Sequence, residues 1–202
     1  VSNVQRAVSS KTTLAALEGI LLRAEEGKLE LCGYDLELGI TTTIPASVEQ
    51  EGSIILNAKL FGDIVRRVPS DTLTLSVDEK WITNIVSGVS DFSIVGIAAE
   101  EYPELPSISG ASQISLNSSV LKSMIRQTLF AVADNDSKPI HTGTLFEMEE
   151  DSLRLVSVDG YRLAMRTEAI TGGEELHFVV PGKTLGEVLK LLPDSEDPVA
   201  LS

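Results

Sequence analysis

The sequence predicts an α+β protein that uses one unit twice, each copy an antiparallel sheet with helices packed on one side. Three observations predict it. Short segments of alternating apolar and polar residues far outweigh helical stretches. The helical stretches are amphipathic and follow strands. An internal repeat runs along the chain at a constant shift of 124 residues. Lys59 pairs with Lys183, Gly62 with Gly186, Asp63 with Glu187, Arg66 with Lys190 and Pro69 with Pro193. The same shift matches Leu29 and Leu31 to Leu153 and Leu155, Asp35 to Asp159, Gly19 and Leu21 to Gly143 and Leu145, and Ala7 and Val8 to Ala131 and Val132.

Alternation predicts strands over 28–32, 37–43, 53–56, 72–77, 82–86 and 91–95 in the first copy. In the second it predicts 144–149, 152–157, 162–168 and 174–180. Helices are expected over 58–68, 119–133 and 182–192. Asn117 or Ser118 can cap the middle helix, and Pro181 suits entry to the last. Pro69 and Pro193 are expected to stop their helices. The apolar stripes read as Leu60, Ile64, Val65 and Val68 on one helix, and Leu185, Val188, Leu189 and Leu192 on another. Gly172-Gly173 reads as a hairpin turn, and Glu25-Glu26 and Glu149-Glu150-Asp151 as acidic turns between strands. Residues 100–106, with Pro103 and Pro106, read as a linker. The expected domains are 1–108 and 109–202. The first copy has no counterpart to the start of the 117–133 helix, and the second none to the strands over 81–97. The first domain is therefore expected to lack its N-terminal part and the second its C-terminal part.

Composition excludes several classes. No apolar run approaches the roughly 18 residues that span a bilayer, and no signal peptide opens the chain. These readings point to a cytoplasmic setting without a membrane partner. A single cysteine excludes an internal disulfide framework, and Cys32, in a strand pattern, reads as a small core residue. Two histidines leave little for a zinc site, and aromatics at 4% argue against base-stacking platforms. Glycine-rich phosphate loops, GxSxG and HExxH are absent from the sequence, so no catalytic residue, metal site or cofactor is assigned.

The net charge is −14, which on average repels nucleic acid. Its distribution is uneven. Residues 57–69, 114–133 and 181–193 carry +2, +2 and +1, leaving −19 for the remainder. Lys59 and Arg66 lie seven apart, as do Lys183 and Lys190, and Lys122 and Arg126 lie four apart, so each pair shares a helix face. Such faces suit a polyanion bound through its phosphates, and they equally suit solvent.

The run Leu153-Arg-Leu-Val-Ser-Val-Asp-Gly-Tyr-Arg-Leu-Ala164, the segments Tyr102-Pro-Glu-Leu-Pro106 and Leu145-Phe-Glu147, and the two strand–helix repeats resemble the bacterial DNA polymerase III β sliding clamp family, the processivity factors of the replicative polymerase. Asp159-Gly-Tyr-Arg-Leu163 is the most specific of these. The resemblance covers most of a first and a second domain, with a third absent. It implies a DNA-clamp fold, with sheets outside and helices lining the hole of a head-to-tail homodimer ring. It implies a nucleoid-associated clamp that encircles double-stranded DNA without reading sequence. It also implies a groove that binds short peptide motifs of the polymerase, clamp loader subunits and other clients. Val158, Gly160, Tyr161, Arg162 and Leu163 match the groove, as does His141, at a position where the family commonly has an apolar residue. Lys11 and Lys138 match basic loop positions facing DNA, beside Lys59, Arg66, Arg67, Lys122, Arg126, Lys183 and Lys190 on the helices. Phe92 and Ile94 match the strand that joins the neighbouring subunit. The alternative is a non-enzymatic peptide-binding adaptor on the same fold that does not encircle DNA.

Overall fold

The computed structural model describes residues 1–9, 12–106, 114–135 and 138–201. The chain divides into two compact units, Val1–Pro106 and Ser107–Ser202. Unit 1 opens with single 3-10 turns at Val4–Ala7 and Ala15–Glu18. There follow β1 (Gly19–Glu25), β2 (Lys28–Tyr34), β3 (Gly39–Pro45), β4 (Gly52–Asn57), α1 (Ala58–Val65), β5 (Thr74–Val77), β6 (Ile82–Ser87), β7 (Ser90–Val95), β8 (Ile97–Ala98) and a 3-10 turn at Ala99–Glu101. The strands pair antiparallel in a five-stranded sheet, β3-β2-β1-β4-β8, and a three-stranded sheet, β5-β6-β7.

The alternation rule passes over β1, and its surroundings explain why. Ile20 and Leu22 face the core beside α1, while Leu21 faces a second buried cluster on the other side of the sheet. A strand covered on both faces needs no polar residue at alternate positions, so its sequence shows no period.

Asn57 caps α1 by accepting a hydrogen bond from the Leu60 N–H at 3.0 Å. The helix buries Ala58, Phe61, Gly62 and Ile64. Phe61 is 1% exposed whereas Leu60 is 48% exposed, so the apolar stripe read through Leu60 is corrected to one through Phe61. Helical geometry also ends at Val65, short of the expected 68. The Arg67 N–H already bonds the nearer Ile64 carbonyl, and Val68, which precedes Pro69, is biased away from the helical region.

Unit 2 comprises β9 (Ile114–Asn117), α2 (Ser118–Thr128), 3-10 turns at Leu129–Ala131 and Pro139–Thr142, β10 (Gly143–Met148), β11 (Ser152–Val158), β12 (Leu163–Ala169), β13 (Leu176–Pro181), α3 (Gly182–Leu191) and β14 (Pro198–Leu201). Its sheets run β12-β11-β10-β13 and β14-β9. One core joins α2 and α3 to both, through Leu121, Met124, Ile125, Phe146, Leu153, Leu155 and Leu185, with the Phe146 and Phe178 rings stacked at 5.2 Å.

Three expectations in unit 2 are corrected. Neither Asn117 nor Ser118 caps α2 through its side chain. The N–H groups of Ser118 and Ser119 instead donate to the carbonyls of Asp197 and Ser195, and Ser118 Oγ donates to the Pro193 carbonyl. The helix stops at Thr128, where Oγ1 donates back to the Met124 carbonyl and the chain tightens into a 3-10 turn. Gly172-Gly173 is not a hairpin: it joins β12 to β13, which lie at opposite edges of their sheet. It is held by donation from the Gly173 and Ile170 N–H groups to the Glu150 and Asp151 carbonyls.

The repeat holds element by element. A shift of 124 carries β2, β3, β4 and β5 onto β11, β12, β13 and β14 with identical bounds, and α1 onto the first turns of α3. It also carries Ala15–Glu18 onto Pro139–Thr142. The segment read as a linker is instead packed on unit 1. Tyr102 is buried, and its hydroxyl donates to the Cys32 carbonyl at 3.3 Å. An aromatic side chain with a polar tip fits such a seat better than it fits solvent. Cys32 itself is buried, and burial pushes its thiol up.

The corrected face of α1 gives a stability test. Phe61→Ala should cost about 3–5 kcal/mol by denaturant unfolding, while Leu60→Ala should cost less than about 1 kcal/mol. A reversed order would restore the stripe through Leu60.

Candidate functional site

The most specific motif forms a preorganised turn. Val158 ends β11 and Leu163 begins β12, and the two are register partners across the hairpin. Between them, the Asp159 carboxylate organises the loop. Its Oδ1 accepts the Tyr161 N–H at 2.9 Å and the Arg162 N–H at 3.0 Å, and its Oδ2 accepts Arg162 Nε at 2.9 Å. These backbone donations, with the Arg162 guanidinium behind them, hold the Asp159 carboxyl below the usual aspartate range. Gly160 sits at φ +93°, in the left-handed region. The outcome is a loop that presents Tyr161, Arg162 and Leu163 outward, all three exposed.

His141 is half-buried beside this loop, in the turn Pro139–Thr142, and its carbonyl accepts the Ala133 N–H at 2.8 Å. Lys138 and His141 line a concavity of about 360 Å³ with Ala133, Asn135, Asp159, Gly160 and Tyr161. Of the groove residues expected from the sequence, His141, Gly160 and Tyr161 thus share one hollow, and Val158 and Leu163 pair beside it. Sequence reading missed Phe130. Its exposed ring lies under the Arg162 guanidinium, 5.7 Å from carbon to centroid, in a cation–π contact. An exposed aromatic just past an amphipathic helix was the available signal.

The cations fall into two groups. Lys59, Arg66 and Arg67 are exposed on α1 and just beyond it, away from its buried face. Arg66 pairs with Asp63 at 2.6 Å and donates to Gln5 Oε1 at 3.0 Å. In unit 2, Lys122 is half-buried and pairs with Asp194 at 2.9 Å, which joins α2 to the residues after α3 and lowers the Asp194 pKa. Arg126 adds a weaker pull on the same carboxylate. Lys190 pairs with Glu187 at 2.6 Å, and Lys183 is exposed at the start of α3. Lys138 is exposed, and Lys11 lies outside the described residues. Among the described residues, Arg66, Lys122 and Lys190 are therefore partly neutralised by local carboxylates. Among the described residues, no ion pair engages Lys59, Arg67 or Lys138.

Phe92 is exposed on β7, which among the described residues is an edge strand paired with β6 alone. Ile94, two residues on and on the same face, is buried in the core of unit 1 at 7% exposed and lines the same hollow as Phe92. This open concavity of about 580 Å³ is lined by Leu60, Asp63, Arg67 and Phe92 among others.

Residues 1–106 match the family described as DNA polymerase III beta subunit, N-terminal domain, and residues 115–202 the corresponding central domain. The beta sliding clamp of Halalkalibacterium halodurans is 38% identical over 98% of the chain, and that of Bacillus subtilis 36% over the same share. A crystal structure of a putative DNA polymerase III beta subunit from Eubacterium rectale superposes with a TM-score of 0.94 at 40% identity, over 98% of this chain and 55% of that one. The chain spans about half the length of the curated relatives it matches, 55% in both cases.

The Asp159 turn gives a pH test. A carboxyl whose pKa is lowered by folding stabilises fully above the unfolded pKa and loses that contribution as pH falls through the folded one. Asp159 should titrate below an ordinary aspartate when followed by NMR, and exchange of the Tyr161 and Arg162 amides should quicken as it protonates. Asp159→Asn should abolish that pH dependence. Gly160→Ala should cost about 1–2 kcal/mol in unfolding, since space is open and only the backbone conformation is penalised.

Proposed function

The chain belongs to the DNA polymerase III beta subunit family, and we propose that the protein of which it forms the first two domains is a sliding clamp. In this reading a homodimeric ring encircles duplex DNA and tethers the replicative polymerase, clamp loader subunits and other clients through short peptide motifs. One observation carries it: in a chain of net charge −14, the three long helices and their ends hold a net +5, with Lys59, Arg66, Arg67, Arg126, Lys183 and Lys190 exposed.

Topology explains how so acidic a protein stays on DNA. A closed ring cannot leave a duplex sideways, so its contacts need only be weak, phosphate-directed and blind to sequence. Weak contacts also permit sliding. The local carboxylates that partly neutralise Arg66, Lys122 and Lys190 fit this requirement, since a fully unpaired basic wall would grip the backbone and slow movement. An acidic exterior limits non-specific adhesion of the outer surface to nucleic acid. The work is mechanical, and the reading assigns no catalysis and a cytoplasmic, nucleoid-associated setting.

The Asp159–Leu163 turn and His141 form one wall of the client groove. Leu163 and Val158 offer apolar contact, Gly160 permits close approach, and Arg162 can donate to peptide carbonyls. With Phe130 and Asp159 both in contact with it, Arg162 has less side-chain freedom to lose on binding. His141 makes this wall more polar than the apolar residue common in the family.

The DNA reading is tested with the full-length protein loaded on nicked circular DNA. Retention should persist on the circle and disappear on linearisation, and the triple variant Lys59→Glu, Arg67→Glu, Arg126→Glu should shorten residence on the circle. Equal retention on both DNA forms would overturn encirclement. Independently, Leu163→Ala should weaken a client peptide by about 1–3 kcal/mol in a calorimetric titration; unchanged affinity would remove Leu163 from the groove.

A further inference from the structure

The side chain of Gln5 crosses from the opening 3-10 turn of unit 1 to α1. Its backbone is fixed on both sides. The Gln5 N–H donates to the Val1 carbonyl at 3.0 Å, and the Gln5 carbonyl accepts the Val8 N–H at 3.2 Å. Val4 and Ala7, both fully buried, root the same turn in unit 1. From that base the carboxamide reaches both ends of the helix. Its Nε2 donates to the Ala58 carbonyl in the first turn, and its Oε1 accepts Arg66 Nη1 at 3.0 Å, just past the last.

The helix makes room for this crossing. The carboxamide lies against Gly62, where a methyl group would come within 2.7 Å of Gln5 Cδ. Glycine inside a helix is less favourable than alanine, so the position needs a reason, and the Gln5 side chain gives one. The repeat isolates the arrangement. A shift of 124 puts Leu129 at the counterpart of Gln5 and Gly186 at that of Gly62. Leu129 packs against the core of unit 2, and a methyl group on Gly186 would meet nothing within 4 Å. Lys190, the counterpart of Arg66, pairs with Glu187 just as Arg66 pairs with Asp63. An acid three residues before the cation is therefore common to both units, and the amide is found in unit 1 alone.

We propose that Gln5 is a positioning residue for DNA contact: with Asp63 it holds the Arg66 guanidinium by its two terminal nitrogens and presents the remaining donors to a phosphate. The proposal rests on the sliding-clamp reading and names a residue through which that reading would work. Asp63 accepts from Nη2 and Gln5 from Nη1, so the planar group is fixed at two points and cannot pivot about one. Its five N–H donors exceed what two such bonds consume. A neutral amide suits the second anchor better than another carboxylate would, because it restrains the guanidinium without cancelling its charge. A long side chain ordered before binding loses less freedom when the phosphate arrives.

The test measures the affinity of the full-length protein for a short DNA duplex by fluorescence anisotropy across a salt series. Gln5→Leu installs the residue that unit 2 has at this place. It should weaken binding about two- to tenfold. It should leave the salt slope unchanged, because no charge is removed. Arg66→Ala should weaken binding and reduce the slope by about one. In the Arg66→Ala background, Gln5→Leu should have no further effect, an outcome that a role in folding alone would not produce. Gly62→Ala displaces the carboxamide while leaving Gln5 in place. It should give the same loss, again only while Arg66 is present, which keeps the test valid if Gln5→Leu folds poorly. Full affinity in both variants, or a loss that persists without Arg66, would overturn the proposal. The sliding-clamp reading fails separately, and this proposal with it, if the triple variant Lys59→Glu, Arg67→Glu, Arg126→Glu binds the duplex as well as the unsubstituted protein.

Discussion

A sheet with apolar residues on both faces has to be covered twice, and the rest of this structure follows from that requirement. β1 lies inside its sheet, and its side chains alternate between two environments that are both apolar. One face is covered by helix: α1 in unit 1, α2 and α3 in unit 2. A helix that covers a sheet with one side must show its other side elsewhere, and here that side holds the basic residues. The charge partition is thus, at the least, a by-product of packing. Turns and exposed strand positions are free to be acidic, because little but water is asked of them.

The repeat separates scaffold from specialisation. Asp35 and Asp159 occupy the same turn, and each accepts the N–H groups two and three residues on. The aspartate therefore belongs to the fold and is no evidence of a site. What differs is the cargo of the loop. Unit 1 has Leu36, held at φ +76° despite its side chain, then Glu37 and Leu38. Unit 2 has Gly160, which meets the same backbone demand without that penalty, then Tyr161 and Arg162. Only the second copy acquires an aromatic clamp, through Phe130, on an outward arginine.

Much of this was legible in the sequence. The constant shift of 124, the strands β2, β4, β6 and β11, and the buried Cys32 follow from pattern alone. Other features were not, for identifiable reasons. β1 lacks a period because both its faces are buried. The true face of α1 differs from the one through Leu60 because a stripe of aliphatic residues ignores Phe61, the larger side chain. The missing cap of α2 could not be foreseen, since its partners lie in residues 193–197, remote in sequence. Ion pairs such as Lys122 with Asp194 are hidden for the same reason, so counting basic residues along helices overstates the charge they offer. Phe92 and Ile94 share one face of their strand, yet Phe92 is 37% exposed and Ile94 7%, because burial along one face varies with what packs over it and not with the period.

The closure of α2 bears on how unit 2 comes to be folded. Ser118 Oγ reaches the carbonyl of Pro193, 75 residues away, and the neighbouring N–H groups reach Ser195 and Asp197. During synthesis the helix emerges long before the residues that satisfy its first turn. Until they arrive, its amino end depends on water, and the loop-closure entropy of the whole intervening chain opposes the contact. The first turn of α2 is therefore closed only once the stretch that joins α3 to β14 is in place.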